Sequence, residues 1–379
     1  MSTRSHSRRT SRTRFGHFGT TLDGELLVAA TVKDVARVAD VSIGTVSRVL
    51  SGEPNVTEET ALRVRQAVDQ LGYSRLRKRK LASDILSLSR KNIAMLLLGM
   101  DRSLASLPSV ACGIHGAESA LSASGANVLL SDLPRVDEVP KAIASQNIHG
   151  LLAKGALQGP LVESANPDLI RRLRHIPTVW FLGRPQQADW GDAVGSDDAE
   201  AGRLAAEHFL RLGHRRLAVI DPKPGHVAMD GRCASFVWHV NREGAKVETI
   251  LGKASDWSLP LQTVKDIELV DTLVGRLIKL RSKPTGVFCP ADGITAMVYR
   301  ACVRRGIKIG TDLSLISCNN ELPLLAGLYP EVTTVDIGAE QIGRQAVEQL
   351  IWRLTHPDSP SVNVSVQPRL VEGMSVATL

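Results

Sequence analysis

Short apolar runs alternate with amphipathic segments from Asn92 to the end of the chain. An apolar run of a few residues between turn residues is typical of a buried strand, and apolar residues spaced three and four apart are typical of a helix. The pattern predicts strands near 93–98, 127–131, 149–153, 177–182, 216–220, 246–251, 285–289 and 313–317. It predicts helices near 108–124, 166–175, 198–212, 229–243, 263–281 and 291–305, then a helix near 338–354 and a strand near 364–371.

Regular alternation of strands and helices predicts parallel sheets with helices on both faces. These units are too many for one compact sheet, so we predict an α/β core of two lobes over residues 92–379. The N-lobe is expected over about 92–190. The C-lobe is expected over about 191–318 together with 336–379, which includes the final helix and strand, with crossover strands between the lobes.

Residues 31–73 follow a different pattern, with three short helical repeats: Val32 to Ala39, Ile43 to Leu50 and Ala61 to Leu71. Ser42 and Thr57 precede the second and third repeats, where a side-chain oxygen can accept a bond from a free helical N–H group. The pattern predicts a small all-α domain whose first two helices flank a three-residue turn. Its expected core residues are Val32, Val35, Val41, Val46, Val49 and Leu50.

The excess positive charge lies at the N-terminal end. The chain has 379 residues with 46 Lys and Arg against 39 Asp and Glu. Residues 1–91 hold 17 of these basic residues and only 9 of the acidic ones, so the remainder is close to neutral. Duplex DNA carries about one negative charge per 1.7 Å of axis, so a basic end beside a neutral body indicates a nucleic-acid-binding segment. The alternative for the charge alone is a solvated tail.

Residues 1–30 form a basic extension rich in Arg, Ser and Thr, which we expect to be disordered. We predict no secretory signal, because no small-residue cleavage site follows its short apolar stretch. A transit peptide or a start codon assigned too far upstream would look similar.

No apolar run in the sequence approaches the roughly 18 residues needed to cross a bilayer. The 5 scattered cysteines contain no C-x-x-C pair, which argues against a disulfide framework and favours a reducing cytoplasm.

Four blocks of the sequence together resemble one family. Residues 31–73 run TVKDVARVADVSIGTVSRVL and then SGEPNVTEETALRVRQAVDQLGY. The later blocks are DDAEAGRLAAEHFLRLGHRRLAVI (197–220), PADGITAMVYRACVRRGIKIGTDLSLIS (290–317) and PEVTTVDIGAEQIGRQAVEQLI (330–351). The first is similar to the helix-turn-helix head of the lactose-repressor (LacI/GalR) family of transcriptional regulators, and all four occur in the family's order. A helix-turn-helix match alone is weak, whereas the combination is specific.

The resemblance assigns the second helix to DNA, since an α-helix fits the major groove and its N-terminal residues reach base edges. Arg48 is implied as a base reader that gives two hydrogen bonds to guanine; the alternative is an ordinary surface arginine. Ile43 and Gly44 occupy positions where family members vary their operator preference. Ile43 can touch a thymine methyl group, and Gly44 is expected to permit close approach. The implied phosphate contacts, which position the helix without specifying sequence, are Ser42, Thr45 and Ser47.

The turn and the linker depart from the family pattern. The family usually has Gly where this chain has Asp40, but Asp tolerates the left-handed region, so we expect the turn to persist. After Tyr73 the family commonly has a Pro-Asn step and a short hinge helix whose Leu wedges into the minor groove. The linker 74–91 begins SRLRKRKLASDIL instead and is longer. We expect Leu81 to be the wedge, with Leu86 second. Phosphate contacts are expected from Arg77, Lys78, Arg79 and Lys80.

The core resembles a periplasmic sugar-binding protein reused as a sensor. Ligands of such folds lie in the cleft between lobes, at the carboxyl ends of strands. By resemblance, Arg232 matches a ligand-binding Arg, Asp292 matches the Asp of an Asn-Asp pair, and Trp257 matches a Trp that stacks on a pyranose ring. Asp132, at the end of an N-lobe strand, is a fourth candidate. Carboxylates and guanidinium groups bond hydroxyls while the ring covers the apolar sugar face, so the set fits a polyol.

Alternatives stay open for this site. Trp257 can pack on the lobe surface, and Asp292 can cap its helix. The family's usual FDD is Cys318-Asn319-Asn320 here, and its aromatic residues after the first strand are missing from 101–108. We therefore expect an effector unlike the well-known ones, or none.

The sequence thus predicts a cytoplasmic transcriptional regulator, a repressor, that binds a pseudo-palindromic double-stranded operator as a homodimer. Its effector is expected to be a small molecule, a carbohydrate. No catalytic residue, cofactor or metal is predicted, because the common catalytic motifs are absent from the sequence. The alternatives are control by a protein partner such as a phosphocarrier protein, a regulator without effector, and a sugar-binding enzyme.

Overall fold

The structure, a computed structural model, describes residues 32–51, 56–71, 88–100, 105–133, 147–155, 167–185, 188–253 and 267–379. The chain divides into two compact units, Met1–Lys80 and Leu81–Leu379, which we call the head and the core. Within the described ranges, no helix is both long and apolar enough to cross a membrane.

The head contains the three predicted helices: α1 (Val32–Val38), α2 (Ile43–Ser51) and α3 (Glu58–Gln70). Its buried core is Val35, Ala36, Ala39, Val46, Val64 and Ala67, with Val32, Val41, Val49 and Leu50 packed against it. Two predicted caps are confirmed. The Ser42 Oγ accepts the Thr45 N–H at 3.1 Å, and the Thr57 Oγ1 accepts the Thr60 N–H at 3.4 Å. Asp40 takes a left-handed φ of 50°, so the turn persists without glycine.

The first core sheet has the order β11-β5-β4-β3-β1-β2, and its strand pairs are all parallel. Its strands are β1 (Asn92–Leu98), β2 (Asn127–Leu133), β3 (Gly150–Gly155), β4 (Thr178–Phe181), β5 (Asp192–Ser196) and β11 (Asn363–Val366). Its helices are α4 (Pro108–Ala123), α5 (Pro167–Leu173) and α11 (Ala339–Thr355). Leucine, isoleucine and valine on both faces of the central strands form its core, as a sheet covered on both sides requires.

The second sheet has the order β12-β10-β9-β8-β6-β7, in which only the β10–β12 pair is antiparallel. Its strands are β6 (Arg216–Asp221), β7 (Lys246–Leu251), β8 (Gly286–Phe288), β9 (Ser314–Asn319), β10 (Thr333–Asp336) and β12 (Arg369–Val371). Its helices are α6 (Asp198–Arg211), α7 (Val227–Arg242), α8 (Ile267–Ile278), α9 (Asp292–Arg304) and the short α10 (Leu322–Leu325). The predicted two-lobed α/β fold with mainly parallel sheets is confirmed.

The predicted division between the lobes was wrong in two places. β5 belongs to the first sheet, so the N-lobe continues past residue 190. α11, which we assigned to the C-lobe, packs on β3, β4, β5 and α4 of the N-lobe. The predicted strand at 364–371 is two strands, β11 and β12, one in each sheet. The chain therefore crosses between lobes after β5, after β10 and after β11. The short polar strands β5 and β10 gave too little apolar signal to show the first two crossings.

α11 is anchored to the N-lobe by close packing and by a buried ion pair. A Cβ on Gly343 would lie 2.0 Å from the Gly113 carbonyl oxygen of α4, so only glycine allows this approach. Arg353 donates to Asp192 on β5 with an NH2–Oδ1 distance of 2.6 Å. Burial alone would raise the pKa of Asp192, but bonds from Arg353 and Gln349 lower it overall. The helix is thus a rigid part of the N-lobe.

Candidate functional site

α2 turns the predicted DNA-binding residues away from the core of the head. Ile43 keeps 47% of its surface exposed, and Gly44, Ser47 and Arg48 are exposed as well, while Val46 on the opposite face is buried. Ser42 is exposed and Thr45 half-buried at the start of the helix. No acidic residue occupies the first turn of α2, so the positive helix end is not neutralised there.

Arg48 is held in place by its own helix. Its Nε donates to the Gly44 carbonyl oxygen at 3.3 Å, and among the described residues no carboxylate lies within ion-pair distance. Arg37 of α1, in contrast, pairs with Asp34 at 2.7 Å. Among the described residues, the nearest neighbour of a Cβ on Gly44 would be the Ser42 Oγ at 3.7 Å, so packing against them does not require glycine here.

Several predicted site residues lie outside the described residues and stay predictions. They are Trp257 of the effector set, and the linker residues Arg77, Lys78, Arg79, Lys80, Leu81 and Leu86.

Asp292 is buried at the start of α9 and bonds to three other elements. Its Oδ2 accepts the Glu321 N–H at 2.6 Å, and its Oδ1 accepts the Thr334 hydroxyl at 3.2 Å and the Ser317 hydroxyl. The helix-cap alternative was wrong, since α9 has Ala291 as its N-cap residue and no side-chain cap bond. Burial raises the pKa of Asp292 to about 7, although its three hydrogen bonds act in the opposite direction.

Arg232 on α7 is only 5% exposed and joins three segments of the C-lobe. Its Nε donates to Asp198 Oδ1 at 2.8 Å, and its NH1 donates to Asn319 Oδ1 and the Pro290 carbonyl oxygen, both at 2.8 Å. Sequence reasoning noted Asn319 only as a departure from the family pattern. The structure makes it a direct partner of Arg232, at the carboxyl end of β9.

Lys154, which sequence reasoning missed, stands at the carboxyl end of β3 and is 7% exposed. Its Nζ donates to the Leu182 carbonyl oxygen at 3.0 Å. Burial lowers the pKa of Lys154 to about 8, while the nearby Asp198 carboxylate of the C-lobe acts against this shift. The sequence does contain a signal for this residue, since Lys154 follows directly on a strongly apolar predicted strand. Charged side chains are rarely buried without a partner or a role.

His226, also missed, begins α7 beside these cations. Its Nδ1 accepts the Met229 N–H at 3.5 Å, which requires the neutral ring. Burial and the charges of Lys154 and Arg232 lower the pKa of His226 to about 3. Lys154 of the N-lobe therefore shares one electrostatic environment with Asp198, His226 and Arg232 of the C-lobe.

Asp132 lies on the edge strand β2, half-buried, level with Lys154. Leu97 of the central strand β1 is in register with Asp132 of β2 on one side and with Lys154 of β3 on the other. Side chains at the same level of neighbouring parallel strands point to the same face, and two strand spacings separate their Cα atoms by roughly 10 Å.

Among the described residues, no group of three or more His, Cys, Asp or Glu side chains is placed to hold a metal ion.

Comparisons with known proteins match both units. Residues 31–75 match the family model described as bacterial regulatory proteins, lacI family, and residues 206–376 match the periplasmic binding protein-like domain. The HTH-type transcriptional repressor PurR of Klebsiella pneumoniae (strain 342) is 28% identical over 356 residues, 92% of this chain and 97% of that protein. PurR of Vibrio atlanticus (strain LGP32) is 25% identical over 354 residues, 92% of this chain and 99% of that protein.

Solved structures show the same fold. A transcriptional regulator CelR–cellobiose complex has a TM-score of 0.60 at 21% identity, over 91% of this chain and 99% of that chain. The lac repressor dimer bound to operator and the anti-inducer ONPF has a TM-score of 0.58 at 20% identity, over 92% of this chain and 100% of that chain.

Proposed function

Because this chain belongs to the lacI family of bacterial regulatory proteins, we propose that it represses transcription by binding an operator whose affinity a small molecule controls. The observation that carries the DNA-binding part is the outer face of α2. It exposes Ile43, Gly44, Ser47 and Arg48 at the N-terminal part of a helix that fits the major groove. We propose that the protein acts in the cytoplasm, where its operator lies, and that it is not an enzyme.

In this proposal, Arg48 reads a guanine through two hydrogen bonds. Ser42, Thr45 and Ser47 bond phosphates and fix the register of the helix. Ile43 contacts a thymine methyl group, and Gly44 lets the helix backbone approach the bases. One head reads only half a site, so we propose a homodimer on a pseudo-palindromic operator. The linker adds phosphate contacts from Arg77 to Lys80 and a minor-groove wedge from Leu81.

We propose that the effector is a carbohydrate or carbohydrate derivative bound between the lobes. The regulators of similar fold include complexes with cellobiose and, for a protein from Enterococcus faecium, with ribose. The polar groups at the strand ends suit such a ligand: Asp132 and Lys154 from the N-lobe, and Arg232 and Asp292 from the C-lobe. Trp257 would cover the apolar face of the sugar ring. Effector binding would change the lobe arrangement and, through the linkers, the fit of the two heads to the operator.

One observation favours a second candidate, a regulator that needs no effector. Among the described residues, Arg232 and Asp292 each make three bonds to the protein itself. A ligand therefore has to compete with these bonds.

Selection of binding sites from random duplex DNA by the full-length protein tests the DNA-binding part. We expect two-fold related half-sites, and an affinity whose logarithm falls linearly with the logarithm of salt concentration. Binding without sequence preference would contradict the proposal.

A thermal-shift screen of sugars and sugar phosphates separates the two effector candidates, because a ligand that binds the folded state raises Tm. Each compound that raises Tm is then added to the operator titration.

A further inference from the structure

The segment Asn319–Glu321 joins the candidate effector site to the opposite lobe. We infer that Glu321 is a positioning residue that transmits the state of Arg232 and Asp292 to the N-lobe by capping α4 across the lobes. This inference rests on the proposed function, because it concerns how the same site controls lobe closure.

The first observation is a helix that lacks a cap of its own. α4 has Leu107 as its N-cap residue, without a side-chain cap bond, and Pro108 in its first turn. The Ser109 N–H instead donates to Glu321 Oε1 at 3.0 Å. Glu321 follows β9 of the C-lobe, whereas α4 belongs to the N-lobe. A carboxylate at the positive end of a helix is favourable, so this contact stabilises the arrangement in which Glu321 of the C-lobe meets α4 of the N-lobe.

The second observation is that the effector-site groups hold Glu321 from both sides. Asn319 accepts a bond from Arg232, and the Glu321 N–H donates to Asp292 at 2.6 Å. The intervening backbone is strained, with φ of 115° at Asn319 and 61° at Asn320. Strained backbone of this kind persists only where surrounding contacts over-determine it. Arg232 and Asp292 supply those contacts and so set the direction in which the Glu321 side chain points.

The third observation is that the same carboxylate also acts on a second group of α4. Burial raises the pKa of the Cys112 thiol on α4, and the charges of Glu340 and Glu321 raise it further. α4 is in turn fixed to α11, where a Cβ on Gly116 would lie 2.1 Å from the Glu340 carbonyl oxygen. A displacement at the first turn of α4 therefore moves the N-lobe as a unit.

The consequence is a coupling between ligand contacts and lobe closure. A ligand that bonds to Arg232 competes with Asn319, and one that bonds to Asp292 competes with the Glu321 N–H. Either change redirects Glu321 and removes the cap from α4, so the protein's own contact between the lobes is lost and contacts through the ligand replace it. The rival interpretation is that Glu321 only stabilises α4 locally, independently of Arg232.

The distance between spin labels at exposed Ser122 of α4 and Asn241 of α7 tests this coupling in the full-length protein, with Cys112 and Cys233 replaced by Ser. We expect Glu321→Ala to increase the population with the longer label-to-label distance about fivefold, because the variant loses roughly one charge-assisted helix cap. Arg232→Met should increase the same population, and the double variant should add little to either single change. Glu321→Gln keeps an acceptor oxygen and should show a smaller increase, and it serves as the test if Glu321→Ala does not fold. Glu248→Ala, on the exposed edge of β7, is the control and should match the parent.

An unchanged distance distribution in Glu321→Ala would overturn the inference. Additive effects of Glu321→Ala and Arg232→Met would overturn the coupling as well, because they would show two independent structural roles. The measurement needs no DNA and no effector. It therefore stays decisive if operator binding fails, and its own failure leaves the operator-binding proposal intact.

Discussion

Two arginines illustrate how the head and the core differ. Arg48 of the head is exposed, and among the described residues it bonds only to a carbonyl oxygen of its own helix, which leaves most of its donors unused by them. Arg232 of the core is buried and bonds to a carboxylate, an amide and a carbonyl oxygen. A residue that reads an external partner keeps unused donors, whereas a residue that organises a site uses them internally. Substitution of Arg48 should therefore change the affinity for DNA, and substitution of buried, internally bonded residues of the core should change the stability of the fold.

The largest effect is expected for Arg353→Met in the core. The change leaves the buried Asp192 carboxylate without its guanidinium partner, and unpairing a buried charge costs about 3–5 kcal/mol. Tm should fall by roughly 10 °C, measured by calorimetry or circular dichroism.

Arg344→Met is the matched control for Arg353→Met, since Arg344 also lies on α11 but pairs with the half-exposed Glu340. A surface pair of this kind contributes at most about 1 kcal/mol. Equal losses of Tm in the two variants would remove the distinction between the buried and exposed ion pairs.

The second effect concerns the pH dependence of core stability at Asp292. Its pKa is about 7 in the folded protein and 3.8 in the reference state, so the unfolded carboxyl ionises first as pH rises. The stability that the protonated Asp292 carboxyl contributes to the folded core is fully present below pH 3.8. It is lost as pH rises through about 7. The loss amounts to about 4 kcal/mol as an upper value.

Asp292→Asn cannot ionise, so the difference in unfolding free energy between parent and variant should shrink or change sign from pH 4 to pH 7.5. Denaturant titrations across that range measure it. Asp358→Asn, at an exposed position, should leave the parental profile unchanged. Parallel profiles for the parent and Asp292→Asn would show that Asp292 is ionised in the folded protein throughout the range.

The third effect lies in the head, where Arg48→Ala should weaken operator binding without changing Tm. Loss of a bidentate arginine–guanine contact costs about 1–3 kcal/mol per half-site and relaxes specificity at that base. Fluorescence anisotropy with the selected operator and with a variant changed at one base pair measures both effects. Arg37→Ala is the control, because Arg37 already pairs with Asp34. Unchanged affinity and selectivity in Arg48→Ala would exclude Arg48 as the base reader.

Local features of the sequence were enough to predict the head, and contacts between distant residues limited the prediction of the core. Ser42 and Thr57 cap helices within three residues of themselves, so their roles are readable from spacing. Asn319 lies 87 positions from Arg232, and Glu321 lies 212 positions from Ser109. The hydrophobic periodicity of the sequence carries no information about such distant pairs. The polar strand β5 and the lobe that α11 joins were missed for the same reason, since both depend on tertiary pairing.

The smallest effect tests why α2 has a glycine at position 44. Gly44→Ala should stabilise the head by up to about 1 kcal/mol, because alanine favours a helix and the added Cβ has its nearest neighbour among the described residues at 3.7 Å. If the helix backbone approaches the bases at Gly44, the same change should weaken operator binding, measured by anisotropy. A variant with higher Tm and lower affinity would show that the head gives up stability for close approach. A variant with higher Tm and unchanged affinity would remove Gly44 from the proposed interface, leaving Arg48 and Ile43 as its base-reading residues.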